Sequence, residues 1–135
     1  MTSAAEAYTL GKEERICSKK LIEKLFKGGR SKSMVAYPLR VVYAQKTDDE
    51  GENVPAQMLV SVSKRHFKHA VDRNRVKRQV REAYRKHKHT VTQALEAKGG
   101  GHLMMAFVWQ DNALHDTAEV ERKVQNLLTR IAERL

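Results

Sequence analysis

The chain has 135 residues, with 26 Lys or Arg against 16 Asp or Glu and a formal net charge of +10 with histidines neutral. That length suits a single domain, residues 1–135, able to bury roughly two-thirds of its unfolded surface. A lone cysteine, Cys17, excludes an intrachain disulfide. No apolar run approaches the ~20 residues of a membrane span. The opening Met1-Thr2-Ser3-Ala4-Ala5-Glu6-Ala7 lacks the basic and apolar regions of an export signal, so the expected compartment is the cytoplasm.

In chain order, residues 1–8 are small and polar and are expected to be disordered in part. Ser18 is placed to cap a short helix over Lys19–Lys27, whose apolar positions Leu21, Ile22, Leu25 and Phe26 form a two-turn stripe ended by Gly28 and Gly29. Met34 to Ala44 reads as strand, and Pro38 within it implies an edge, a bulge or a break into two short strands. Past Pro38, alternation puts Leu39, Val41 and Tyr43 on one face and Arg40 and Val42 on the other. Lys46 to Val54 is an exposed connection whose acids lack the spacing of a calcium loop. Gln57–Val62 is a second strand.

A long helix follows, with Asp72 as its expected N-cap and Gly99-Gly100-Gly101 as its end. About 25 residues would make it roughly 37 Å long, and a bend is expected near His87–Thr90. His102–Trp109 is almost continuously apolar, as a buried central strand is. Asp116-Thr117-Ala118-Glu119 resembles a capping box. It opens a last helix with a core stripe of Val120, Val124, Leu127, Leu128, Ile131 and Leu135. Its other face mixes Glu121, Arg122, Lys123, Arg130, Glu133 and Arg134, as an ordinary solvated surface does. The order α-β-β-α-β-α, with room for a further short strand beside Pro38, defines an α+β domain with one sheet of about four strands and helices packed on it.

Within Ser63–His89 lie eleven Lys or Arg and two acids, Asp72 and Glu82, a net of +9 in one fifth of the chain. Four of the six histidines lie there too, but zinc would need convergent ligands that this stretch does not supply. On a helical wheel Val76, Val80, Ala83, Tyr84, Val91, Ala94 and Leu95 share one stripe. Arg75, Lys77, Arg78, Arg81, Arg85 and Lys88 fan across the far side. Solvated faces normally mix both signs, and like charges at helical spacing repel by a few tenths of a kcal/mol per pair. A segregated cationic face therefore points to a polyanion, and arginine forks suit phosphate oxygens.

The run Ser61-Val62-Ser63-Lys64-Arg65, followed by Ala70-Val71-Asp72-Arg73-Asn74-Arg75-Val76-Lys77-Arg78-Gln79-Val80-Arg81-Glu82, resembles the protein subunit of bacterial ribonuclease P. Its so-called RNR signature is Arg73-Asn74-Arg75 followed by Lys77-Arg78 and Arg81-Glu82. Weaker anchors are Leu25-Phe26-Lys27-Gly28-Gly29 and the strand near Met105–Val108, so the resemblance spans about Leu10 to the C-terminus.

The resemblance implies a left-handed β-α-β crossover and a partner RNA that is itself the catalyst, uses Mg2+ and removes the 5′ leader of precursor tRNA. It implies that Lys64, Arg65, Arg73, Asn74, Arg75, Lys77, Arg78, Arg81 and Arg85 face RNA. It also implies a leader cleft between sheet and first helix, with Ile22, Phe26, Tyr37, Arg40 and Val42 as its candidates; Ile22 stands where an aromatic would have strengthened the cleft. No catalytic residue, metal site, membrane contact or required protein partner is expected of the chain itself. A ribosomal or general RNA-chaperone protein has the same charge, and a protein nuclease is disfavoured because no acid/base set stands out by its spacing.

Overall fold

The computed structural model describes residues 31–46, 56–99 and 101–135. The expected helix over Lys19–Lys27, with Ile22 and Phe26, and most of the acidic connection lie outside the described residues. The strands are β1 (Lys32–Ala36), β2 (Leu39–Lys46), β3 (Ala56–Ser61) and β4 (His102–Trp109); the helices are α1 (Ala70–His87), α2 (His89–Ala97) and α3 (Thr117–Arg134).

The sheet runs β1-β2-β4-β3. The first two neighbouring pairs are antiparallel, and β3 lies parallel to β4. Parallel neighbours require a long crossover, and α1 with α2 supplies it. Pro38 has no amide to give to a ladder, so the run around it breaks into two strands of a hairpin. Tyr37–Pro38 is a cis peptide in the turn, and the Pro38 carbonyl accepts the Gln110 amide at 2.8 Å. The apolar character of His102–Trp109 has its expected cause: β4 lies between β2 and β3 and is buried along nearly its whole length.

The main core joins one face of the sheet, including Leu39, Val41, Tyr43, Met105 and Phe107, to the helices through Val76, Val80, Tyr84, Val91, Leu95, Leu127 and Ile131. Each such side chain contributes about 1.5–3 kcal/mol when fully buried. Val42, Met104 and Ala106 form a separate cluster, with Ala44 and Leu59 packed against it. Strand alternation assigns this cluster to the opposite sheet face. The periodicity of α1 is therefore realised in full, with Val76, Val80, Ala83 and Tyr84 all buried.

Three local expectations need correction. Helix α1 begins at Ala70, so Asp72 is not its N-cap. His69 holds that position without a side-chain cap bond, and its carbonyl already accepts the amides of Asp72 and Arg73 at 3.2 and 3.4 Å. Asp72 sits instead in the first turn, where a carboxylate faces the positive end of the helix dipole. The expected bend falls at Lys88, between α1 and α2, and it takes Lys88 off the cationic face: the residue is only 9% exposed. The capping box is half formed. Asp116 accepts the Glu119 amide at 2.9 Å, but the Glu119 carboxylate lies against His115 rather than reaching back to the cap.

Candidate nucleic-acid interface

Positions 74, 78, 81 and 85 recur at three- and four-residue spacing, so one side of α1 presents them together. Asn74, Arg78, Arg81, Glu82 and Arg85 line a shallow surface groove there. Glu82 is consumed within it. Arg85 donates Nε to Glu82 Oε2 at 3.1 Å and Nη2 to Glu82 Oε1, and this bonding holds the Glu82 carboxyl below its ordinary range despite some desolvation. The one acid of the ridge is thus matched by its neighbour. Arg78 and Arg81 are left with no ion pair among the described residues. Arg75 and Lys77 flank the groove, and Arg75 and Arg78 are exposed.

Arg73 faces elsewhere. Its Nη1 donates to the carbonyls of Phe67 at 2.8 Å and Lys68 at 2.9 Å. The guanidinium thereby ties the start of α1 to the loop that follows β3. That loop is further ordered by a turn in which His66 and Phe67 amides reach the Ser63 carbonyl, and by the Arg65 amide donating to Ser63 Oγ at 3.1 Å. Lys64 and Arg65 are carried, exposed, on this braced turn. Arg73 thus braces, through Nη1, the turn on which Lys64 and Arg65 stand.

Gln79 is a residue that the hydrophobic pattern alone does not single out. It is only 7% exposed, and its Nε2 donates to the His115 carbonyl and to Thr117 Oγ1, both at 3.1 Å. It locks α1 to the start of α3. The sequence signal was its place beside Val76 and Val80 on the wheel, a polar residue on the rim of an apolar stripe.

The proposed leader residues divide. Arg40 and Val42 share the sheet face turned away from the described helices; Arg40 is exposed and donates Nη2 to Ser33 Oγ at 3.4 Å, while Val42 is buried in the second apolar cluster. Tyr37 stands at the rim, 57% exposed. The cationic side of α1 and this sheet face are therefore two surfaces separated by the sheet, not one. Among the described residues no group of three or more His, Cys, Asp or Glu side chains converges as a metal site. No described helix is long and apolar enough to cross a membrane.

A small α+β domain with a mixed four-stranded sheet, one helix of which exposes an arginine-rich groove, has the form of a nucleic-acid-binding protein. The ribonuclease P family model matches residues 10–132. A ribonuclease P protein component from Porphyromonas gingivalis is 43% identical over 132 residues, covering 98% of this chain and 92% of that relative. One from Chlorobaculum tepidum is 32% identical, covering 96% and 89%. Among solved structures, the RNase P proteins of Staphylococcus aureus and Thermotoga maritima share the fold. Both have TM-scores of 0.65, at 21% and 22% identity, with 89% and 87% of this chain and 95% and 96% of theirs covered. The chain belongs to the ribonuclease P protein family.

Proposed function

We propose that the chain serves as the protein subunit of ribonuclease P in the cytoplasm, binding the catalytic RNA through α1 and the 5′ leader of precursor tRNA on the sheet. The observation that carries this reading is the groove of Asn74, Arg78, Arg81 and Arg85, whose single acid is already bound, in a chain of this family. Phosphate contacts set affinity and register without reading sequence. Lys64, Arg65, Arg75 and Lys77 extend the same surface, and Arg73 holds the turn that carries Lys64 and Arg65. Arg40, Val42 and Tyr37, with Ile22 and Phe26, are the residues assigned to the leader. Stacking and apolar contact tolerate many base sequences, which suits an enzyme with many tRNA substrates. In this reading the magnesium ions are held mainly by the RNA, whose phosphates suit a hard cation that keeps several of its waters.

Reconstitution tests it. The protein alone leaves precursor tRNA intact, and adding ribonuclease P RNA with Mg2+ at low salt gives the mature 5′ end. Cleavage by the protein without RNA would overturn the reading, as would co-sedimentation with ribosomes at high salt combined with no effect on RNA-catalysed cleavage.

A further inference from the structure

The last helix carries a second cationic groove, on the far side of the helical layer from the α1 ridge. Val35, Glu119, Arg122, Lys123, Asn126 and Arg130 line it, between α3 and β1, the edge strand. Its chemistry repeats that of α1: an asparagine, three cations and one glutamate that is already bound. Glu119 Oε2 lies 3.1 Å from His115 Nδ1. Arg122 and Lys123 make no ion pair among the described residues. Unmatched cations around a committed carboxylate complement a polyanion.

The groove also meets the sheet face assigned to the leader. Arg130 Nη1 donates to the Val35 carbonyl at 2.9 Å, so α3 reaches the backbone of the outermost strand. Val35 is 50% exposed, and it pairs across the hairpin with Arg40. One strand thus shows Arg40's neighbour to one face and hands its edge to Arg130. A strand from another protein is the competing occupant of such an edge. It is disfavoured because β1 is five residues long, begins with Lys32 and has its Val35 carbonyl taken by Arg130.

We propose that this groove binds the 5′-distal nucleotides of the precursor leader, the strand leaving the sheet face beside Arg40, passing over the β1 edge at Val35 and laying its phosphates on Arg122 and Lys123. The proposal rests on the sheet-face reading of leader binding given above.

The test uses the holoenzyme reconstituted with ribonuclease P RNA and precursor tRNAs that differ only in leader length. For a long leader, the Arg122→Ala/Lys123→Ala double variant weakens binding several-fold and flattens the log–log salt dependence by about 1.4, about 0.7 for each single-strand phosphate contact. A leader short enough to end on the sheet face binds wild type and variant alike. Equal losses on both leaders, or no loss on either, would overturn the proposal. A photoactivatable group on Asn126→Cys, in a Cys17→Ser background, cross-links to the leader; an adduct to ribonuclease P RNA, to protein or to nothing would also overturn it. If wild type itself gained nothing from any leader over mature tRNA, the sheet-face reading would fail too. A leader effect lost in Arg40→Ala but intact in the double variant would remove only the α3 groove.

Discussion

Arg73 and Arg78 carry the same charge five residues apart, and their surroundings give them different work. Arg78 is exposed and lines the α1 groove, whereas Arg73 spends Nη1 on two loop carbonyls. Arg78→Ala is expected to leave thermal stability unchanged and to reduce the log–log salt slope of RNA binding by about 0.7 to 0.9, one phosphate contact. Arg73→Ala leaves two carbonyls without their donor and frees the turn bearing Lys64 and Arg65, so it lowers the melting temperature as well as RNA affinity. Melting curves beside salt titrations separate the two; an unchanged melting temperature for Arg73→Ala would make it an ordinary surface cation.

At the scale of elements, the connection from β4 to α3 is held by His115. Its Nε2 lies 2.7 Å from Asp111 Oδ2 and its Nδ1 3.1 Å from Glu119 Oε2, with the ring edge-on to Trp109 at 5.2 Å. Both ring nitrogens donate only in the imidazolium. The hydrogen bond to Asp111, then that to Glu119, raises the His115 pKa against an opposing effect of burial. A raised folded value stabilises the fold fully below the unfolded value of about 6.5, and this contribution is lost as pH rises through the higher folded value. Thermal stability should therefore decline across that interval, and His115→Asn should remove the decline. A wild-type melting temperature flat through the same interval would contradict the assignment. Asp111 has the opposite sign: chiefly its bond to His115 lowers its pKa, so its contribution is lost only as pH falls below the ordinary carboxylate range.

For the whole molecule, the sheet separates two surfaces. Among the described residues, the helices and the main core lie on one face, and Arg40, Val42, Met104 and Ala106 belong to the other. Arg40→Ala should accordingly weaken leader-bearing precursor more than mature tRNA, while leaving the affinity for ribonuclease P RNA alone unchanged. Parallel titrations with the three RNAs check this, and equal losses on all three would point to a general electrostatic effect instead.

What sequence alone determined is whatever a single element holds within itself. The cationic and apolar sides of α1 follow from its 3.6-residue period, the burial of β4 from its uninterrupted apolar run, and the break at Pro38 from a missing amide. The RNR signature was legible for the same reason, because its residues are contiguous. Tertiary structure decided the rest. Arg73 turns to the loop because the chain before α1 brings two carbonyls within its reach, a contact that its place on the wheel does not encode. Lys88 leaves the ridge because the helix bends there. The α3 face, which reads as ordinary solvated surface, becomes a groove only when Arg130 meets Val35, 95 residues away in sequence. Periodicity reports which side of an element is dry; only the packing of distant elements determines which polar groups find partners and which are left for a ligand.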